Sequence, residues 1–345
     1  MSPVRAMSPA RTRGSLTLAA CAAVPLLMLT ACGDDNAGSA SDGKVEITLA
    51  HSYTDAQPQH RCGAKVIADE MAKADVGVTV QVFSGSQLGG DADRIGSVVS
   101  GDIDMDIQGA SALGAIYEPV SALDAAYAFD DADHLARYFD SKAATDLIED
   151  FATQTGVRTL GAWSAGMRQF TANKPIRTPA DLTGLRMRFP NSAQFLMNAK
   201  ALGASPVEVA YEELFLALQQ GTVDGQENPI VNIAALSLDE VQDYLSLSAH
   251  QANSNLVIIG KVWKELSTEQ QQALRKAVEA ATDQVPGCVA EEEQKKLAEW
   301  KAGKDLKIVE DVDVEAFRTR ADTYLRSNFK PAQLKVYEGI RAAAQ

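Results

Sequence analysis

Two spacings of apolar residues take turns along most of the chain: every second position, typical of strands, and every third or fourth, typical of helices. Val45–Ala50 and Val76–Phe83 show the strand spacing, and Gln59–Ala74 between them shows the helix spacing. A strand, a helix and a strand in this order form a right-handed crossover, so the two strands are predicted to be parallel. This beginning predicts an α/β protein.

The same spacings predict further elements up to the C-terminus. Helices are expected over 92–100, 133–155 and 211–220, and strands over 103–107, 157–163, 206–209, 223–229 and 257–260. Ser267–Gln270 forms a capping-box pattern that opens a helix reaching about Trp300. At 1.5 Å per residue this helix would be about 50 Å long, enough to brace two lobes. Pro286 is expected to kink it, and a short strand and two helices should follow Gly303.

Anion chemistry is predicted where one strand meets a helix. Leu185–Phe189 alternates as a strand that Pro190 ends, and Asn191 or Ser192 can cap the helix that follows. Arg188 thus lies at the carboxyl end of a strand, the edge of an open α/β sheet where ligands bind. Its planar guanidinium matches a carboxylate in two parallel hydrogen bonds, and the helix start adds unpaired N–H groups. The alternative at this stage is a solvated arginine on the sheet edge.

The N-terminal segment differs from the rest of the chain. Three arginines precede the apolar stretch 16–30, the pattern of a secretory signal rather than of a membrane span. The signal ends in Leu29-Thr30-Ala31-Cys32, similar to the box at which bacterial lipoproteins are cleaved and lipidated. We therefore expect a signal peptide over 1–31, lipid on Cys32 and a flexible tether over 32–44. The protein should then be extracytoplasmic and anchored to the outer face of the cell membrane, or periplasmic.

Length and charge narrow the class of protein. With 345 residues the chain is long enough for two domains. Its net charge of −14 becomes −17 once residues 1–31, which hold three arginines and no acid, are removed. A nucleic-acid-binding surface needs a basic footprint, so nucleic acid is excluded as a partner. A small anion is still compatible with this charge, because a few local arginines decide its binding.

Motifs of enzymatic chemistry are missing from the sequence. It has no Gly-x-Ser-x-Gly elbow, no His-Glu-x-x-His and no Cys-x-x-Cys motif, and none of its four histidines has metal-ligand spacing. The glycine-rich turn 84–90 fits neither a phosphate loop nor a dinucleotide fingerprint. Asp102, Asp104 and Asp106 alternate, and we interpret them as a solvated strand edge rather than a general-acid pair. The sequence thus predicts no enzyme, no cofactor and no metal.

Cys62 and Cys288 are the two cysteines of the predicted folded part. Two cysteines in an exported chain can form a disulfide, and two buried thiols are the alternative. The sequence gives no distance between them, so both interpretations stay open here, with the disulfide favoured by the predicted export.

One family combines several of these segments in the same order. Residues 167–229 resemble the extracytoplasmic substrate-binding protein of tripartite ATP-independent periplasmic (TRAP) transporters. The segments that carry the resemblance are Met167–Asn173, Asp181–Arg188, Pro190-Asn191, Leu202–Pro206, Tyr211–Gln219 and Val223–Pro229. Ser86–Gly89 and Glu240–Leu245 add to it, so that it covers nearly all of the predicted mature chain and is weakest after Gly287.

The resemblance implies a two-lobed α/β fold like that of periplasmic binding proteins, with a mixed sheet in each lobe and a long helix spanning both. Lobe I would comprise 45–165 plus about 254–290, and lobe II 166–253 plus about 291–345. Ligand would sit in the cleft between the lobes, which close around it by a hinge motion.

The resemblance also implies roles for individual residues. Arg188 would pair with a substrate carboxylate, and Arg168 would supply a second arginine beside it. Asn228 and Asn191 would contribute amides, and Tyr211 an aromatic pocket wall. On the side of lobe I, the candidates for polar contacts with the rest of the ligand are His51, Asp93, Gln108 and Trp163, with Asp91 as the alternative to Asp93.

The function implied is that of a TRAP solute-binding lipoprotein, which hands a small organic acid to a membrane permease and does no chemistry. The expected ligand is a sugar acid such as a uronate, or a C4-dicarboxylate, with the weight toward sugar acids because asparagine amides suit hydroxyl groups. A binding protein that presents its ligand-bound state to a signalling receptor is the alternative. A monomer is the default expectation for a protein of this kind.

Overall fold

The computed structural model describes residues 44–303 and 306–344. The predicted signal peptide, the predicted lipidation site Cys32 and the predicted tether up to residue 43 lie outside the described residues. All contacts given below belong to the unit Gly43–Gln345.

The described residues form eleven α-helices and one nine-stranded mixed sheet. The strands are β1 Val45–His51, β2 Val78–Phe83, β3 Met105–Gln108, β4 Arg158–Ala172, β5 Arg186–Phe189, β6 Ser205–Glu208, β7 Gly225–Pro229, β8 Tyr244–Ile259 and β9 Lys307–Val309. The helices are α1 Lys65–Ala74, α2 Asp91–Ser100, α3 Ala110–Leu113, α4 Ala132–Phe139, α5 Lys142–Thr155, α6 Ala193–Leu202, α7 Leu214–Gln219, α8 Ile230–Ala235, α9 Thr268–Ala302, α10 Val314–Asn328 and α11 Pro331–Ala342.

Two long strands connect two groups of short parallel strands. The strand order is β2-β1-β3-β8-β4-β7-β5-β6, with β9 paired to β8. In the first parallel group β1 pairs with β2 and β3, and in the second parallel group β5 pairs with β6 and β7. The long strands β4 and β8 pair antiparallel with each other and extend along both groups. The mixed α/β architecture predicted from the sequence is therefore observed.

The long strands differ from the sequence prediction. The prediction had separate short strands over 157–163 and 257–260, whereas β4 has 15 residues and β8 has 16. Buried polar residues in the middle of both strands interrupt the apolar alternation on which the prediction rested. The pairing of β4 with β8 also shifts register between Ser164 and Met167 and between Arg168 and Phe170. Both strands continue through the expected lobe boundaries, which lie at 165/166 and 253/254. The strands alone do not divide the chain there, and the boundaries stay a prediction.

The helix predicted over 133–155 is wrong in length, because it is two helices. α4 ends at Phe139, and α5 begins after Ser141, whose hydroxyl accepts a hydrogen bond from the Ala144 N–H at 3.2 Å. Apolar spacing continues across this break, so the period alone did not reveal it. A serine cap satisfies one of the N–H groups that a new helix start leaves free.

The 35-residue helix α9 contacts both parts of the sheet, as its length predicted. Val285 in its middle packs in one core cluster with Ile47 of β1, and Trp300 near its end packs in another with Leu245 of β8. A disulfide between Cys62 and Cys288 joins α9 to the π-helical turn that precedes α1. The helix therefore packs against the first parallel group near its middle and against the long strand β8 near its end.

Candidate ligand-binding site

A cavity of about 270 Å³ lies where the carboxyl ends of both parallel groups meet. Ser52 and Tyr53 after β1 and Gln108 at the end of β3 line one wall. The other wall contains Asn191 after β5 and Tyr211 after β6. The volume is close to the lower end of the range for small-molecule pockets, about 300–1,000 Å³, so the cavity suits a compact ligand.

Arg188 of β5 brings an unpaired positive charge to this cavity. Its side chain is 2% exposed, and its Nε donates to the carbonyl oxygen of Val209 at 2.9 Å. Nη1 is buried and makes no hydrogen bond to any residue that the structure describes. Burial lowers the pKa of Arg188 to about 10, so the guanidinium remains protonated at neutral pH. A buried cation without an acidic partner is unfavourable, and an anion in the cavity would supply that partner.

Arg168 of β4 also lines the cavity, but its charge is already balanced. Its Nε and Nη2 donate to the two carboxylate oxygens of Glu227 in a bidentate pair. Nη1 donates to the side-chain oxygen of Asn253 at 2.6 Å, and the guanidinium lies over the ring of Phe195 at 4.8 Å. Burial alone would raise the pKa of Glu227, but the charge of Arg168 and the hydrogen bonds to His250 and Arg168 together outweigh burial, and the pKa is lowered. Arg168 is therefore one half of an ion pair within the wall.

Asn228 and Tyr211 line the cavity with different degrees of freedom. The Asn228 side chain accepts from Arg168 Nη2 at 3.1 Å and donates one N–H to Gln226 at 2.6 Å, so these two bonds fix the orientation of its amide. The Tyr211 hydroxyl is buried, and Gln57 lies near it but outside hydrogen-bonding geometry. Burial raises the pKa of Tyr211 to about 12, which keeps the hydroxyl protonated and able to donate.

The wall at the first parallel group is acidic. Gln108 donates to Asp106 at 3.0 Å and to Asp91 at 3.3 Å. Asp91 and Asp93, in the first turn of α2, both line the cavity. Behind them Arg94 is fully buried and pairs with Asp106 and Asp91. The sequence left open whether Asp91 or Asp93 faces the ligand, and in the structure both residues line the cavity.

Two candidates from the sequence do not line this cavity. His51 is fully buried, bonds to His60 at 3.1 Å, and accepts from the Tyr53 N–H at 3.2 Å. Burial lowers the pKa of His51 to about 3, so it is neutral. Trp163 packs in the core beside Val285, where its ring would contact any side chain placed at Gly63. Neither residue is part of the cavity lining, and their role as ligand contacts stays a prediction.

The interpretation of Asp106 as part of a solvated edge is wrong. Its side chain is fully buried against Arg94, at 3.2 Å from Nε to each carboxylate oxygen. Burial raises its pKa to about 7, even though Arg94 acts to lower it. Charged residues at alternate positions are usually exposed, and here the partner comes from a helix that the strand pattern cannot show.

Several residues of the site escaped the sequence prediction. Asn253 and Asn255 of β8, Asn232 of α8 and Glu212 line the cavity, and Glu227 neutralises Arg168. Polar residues at Asn253 and Asn255 in an otherwise buried strand were the available signal. It went unused because the strand itself was predicted too short. Glu227 lies in Val223–Pro229, one of the segments that carry the family resemblance, but no periodicity along the chain indicates an ion pair between two strands.

Two further features, a metal site and a membrane-spanning helix, are not found in the described ranges. Across residues 44–303 and 306–344, no group of three or more His, Cys, Asp or Glu side chains could hold a metal ion. None of the helices described there combines the length and the apolar character needed to cross a membrane. What the described site offers is a polar cavity with one unbalanced cation.

Comparison with known proteins assigns the family. The DctP family model, described as bacterial extracellular solute-binding protein, family 7, matches residues 49–331. A solute-binding protein of Roseobacter denitrificans is 31% identical over 302 residues, covering 86% of this chain and 91% of that protein. The 2,3-diketo-L-gulonate-binding periplasmic protein YiaO of Escherichia coli is 31% identical over 281 residues, covering 81% of this chain and 84% of that protein.

Solved structures agree with the sequence relatives. The crystal structure of a TRAP periplasmic solute-binding protein from Roseobacter denitrificans with bound L-galactonate matches with a TM-score of 0.80 at 28% identity, over 86% of this chain and 99% of that one. A TRAP protein from Polaromonas bound to D-erythronate matches with a TM-score of 0.81 at 28% identity, over 87% and 99%. The family predicted from the sequence is confirmed: this chain belongs to the DctP family of TRAP solute-binding proteins.

Proposed function

We propose that this protein binds a small organic acid in the cavity, with the acid's carboxylate held by Arg188, and delivers it to a TRAP membrane permease. In this proposal it works as a lipoprotein anchored through Cys32, and as a monomer. The protein binds and releases its ligand unchanged. The ligand class is that of sugar acids, uronates or C4-dicarboxylates.

The observation that carries the proposal is the unsatisfied guanidinium of Arg188. One of its nitrogens is bonded to the Val209 carbonyl, and its buried Nη1 has no partner among the described residues. A carboxylate can accept two parallel N–H bonds from such a fork and neutralise it at the same time. Charge and hydrogen bonding are then both satisfied by one ligand group.

The relatives support an acid as the ligand. L-Galactonate and D-erythronate are the ligands named for the two matching crystal structures, and 2,3-diketo-L-gulonate is named for YiaO. Each of these compounds has one carboxylate and several oxygen substituents. Arg188, for which the described part of the chain offers no acidic partner, and several amides in the cavity fit that chemistry.

Exchange of Arg188 tests the proposal. Purified protein is titrated calorimetrically with L-galactonate, D-erythronate, galacturonate and succinate, and the best ligand is carried into the variants. Arg188→Ala should weaken its binding by about 2–5 kcal/mol, which is thirtyfold or more. Arg188→Lys should weaken it at least tenfold, because a lysine retains the charge but not the fork.

Arg186→Lys is the matched control. Arg186 lies two residues away on the same strand, is exposed, and pairs with Asp224 at the surface. Its exchange should leave the affinity unchanged. Normal affinity in both Arg188 variants, or equal losses in the Arg186 and Arg188 variants, would contradict the proposal.

A further inference from the structure

We propose that the cavity selects acids that carry a single carboxylate with hydroxyl groups along the rest of the molecule, and that its acidic wall rejects dicarboxylates. This inference rests on the proposed function, because it takes the carboxylate at Arg188 as given, and it narrows the ligand class proposed there by removing the C4-dicarboxylates. It goes further by assigning the selection to Asp93 and Asp91 of the wall at the first parallel group, together with Glu212, which follows Tyr211 on the other wall and accepts a hydrogen bond from Ser86.

The charges along the cavity are unequal in number. Its two cationic side chains are Arg168 and Arg188, and Arg168 is neutralised by Glu227. Its carboxylates are Asp91, Asp93, Asp124 and Glu212, of which Asp91 pairs with Arg94, and Asp124 accepts hydrogen bonds from Ser111 and Ser254. Among the described residues Arg188 is therefore the one cation of the lining without an acidic partner, and a first ligand carboxylate supplies that partner.

Arg94 cannot serve as a second cation for the ligand. It is fully buried, and its Nε is shared by the two oxygens of Asp106 at 3.2 Å. Nη1 donates to the Gly89 carbonyl and Ser86, and Nη2 donates to Ser52 and Asp91. All of its nitrogens are thus occupied within the wall.

The N-terminus of α2 does not supply a second anion site either. A helix start attracts negative charge, but Asp91 and Asp93 already stand in the first turn of this ten-residue helix. A ligand carboxylate placed there would meet two like charges. Repulsion between like charges weakens the binding of a dicarboxylate, and a monocarboxylate held at Arg188 does not experience it at this end of the cavity.

The same carboxylates suit hydroxyl groups. Asp91 uses Oδ1 for Ser52, Arg94 and Gln108, and Oδ2 has no donor within the described part of the chain. Asp93 makes no side-chain hydrogen bond to any of the described residues and is exposed to the cavity. Free carboxylate oxygens accept hydrogen bonds, which a hydroxyl donates and an ionised carboxylate does not.

Matched ligand pairs test the selection, since each pair has the same carbon chain with one or two carboxylates. Calorimetry compares L-galactonate with galactarate and D-erythronate with meso-tartrate on the unmodified protein. In the pair whose monocarboxylate binds more tightly, the dicarboxylate should bind at least tenfold more weakly. 4-Aminobutanoate should also bind more weakly than D-erythronate. It has the same number of carbon atoms and an ammonium group at C4, but it has no hydroxyl groups to donate hydrogen bonds to the carboxylates of the wall.

Two variants assign the selection to the wall. Asp93→Asn keeps one acceptor oxygen but removes the charge, so monocarboxylate affinity should fall, because the charge-assisted bond to a hydroxyl group is lost, while dicarboxylate affinity rises. Asp102→Asn removes the same charge from an exposed position outside the cavity and should change neither. Addition of Glu212→Gln to Asp93→Asn should narrow the discrimination further.

The outcomes separate this inference from the proposed function. Loss of all acid binding in Arg188→Ala, together with equal or tighter binding of the dicarboxylate, would overturn the selection and leave the function standing. Tighter binding of 4-aminobutanoate would overturn the assignment to hydroxyl groups. An unchanged affinity ratio in Asp93→Asn would remove the wall as its cause. Absence of binding by every acid would overturn both proposals.

Discussion

Arg94 and Arg188 are both buried, Arg94 behind one wall of the cavity and Arg188 in its lining, but they have opposite surroundings. Arg94 is 0% exposed and all of its nitrogens donate to protein acceptors, including Asp106 and Asp91. Arg188 is 2% exposed, has one hydrogen bond to a carbonyl, and faces no acid at salt-bridge distance among the described residues. A buried arginine whose nitrogens all donate to protein acceptors stabilises the wall. A buried arginine without an acidic partner is instead a position at which an anionic ligand can bind.

The physical basis of this contrast is desolvation. Removing a guanidinium from water costs several kcal/mol, which only a well-placed partner offsets. At Arg94 the partner belongs to the fold and the cost is met during folding. At Arg188 the cost stays in the unliganded protein and is offset when an anion binds. Binding energy at Arg188 is therefore gained by relieving an unfavourable state.

Removal of Arg94 should give the largest change in stability. Arg94→Met leaves Asp106 buried without its cation, and we expect the free energy of unfolding at pH 8 to fall by about 3–5 kcal/mol. Denaturant unfolding measures it, with Arg186→Met at the surface as the control that should change little.

The pH dependence of this loss checks its cause. Burial raises the pKa of Asp106 to about 7 in the intact protein, and Arg94 acts to lower it. Without Arg94 the pKa rises further, so at pH 5 the carboxyl group is neutral and its burial is tolerated. The loss in Arg94→Met should be present at pH 8 and shrink as the pH falls to 5. A loss of equal size at both pH values would show that packing, not charge, explains it.

Removal of Arg188 should affect stability little and in the opposite direction. Arg188→Met takes away an unpaired buried charge, so the unliganded protein should be unchanged or more stable by up to about 2 kcal/mol. A ligand at 100 times its dissociation constant should stabilise the unmodified protein by about 2.7 kcal/mol and this variant much less. Thermal unfolding with and without the acid measures both. A loss of stability as large as that of Arg94→Met would abolish the contrast.

Much of the site could be predicted because its signals are local. The strand ending at Pro190 and the cap at Ser192, which accepts from the Phe195 N–H at 3.2 Å, are as the alternation and the cap chemistry indicate. The same pattern placed Arg188 at the carboxyl end of β5. Short-range periodicity and helix capping involve neighbours within a few residues, so the sequence displays them directly.

The rest depends on contacts between distant segments. Arg168 and Glu227 are 59 positions apart, and they meet because β4 and β7 are neighbours in the sheet. Arg94 and Asp106 meet across a helix and a strand. Such pairings decide whether a buried arginine has an acidic partner within the protein or can bind an anionic ligand. No pattern along the chain indicates them. His51 was a candidate through the family resemblance, and its side chain is fully buried beside His60.

A crystal structure with a bound acid tests the central claim most directly. The account predicts that both oxygens of the ligand's carboxylate lie within about 2.7–3.0 Å of nitrogens of the Arg188 guanidinium, as in a bidentate pair. Arg168 should still be paired with Glu227 in that complex. An acid bound with its carboxylate elsewhere in the cavity, and Arg188 still without an acidic partner, would contradict the account.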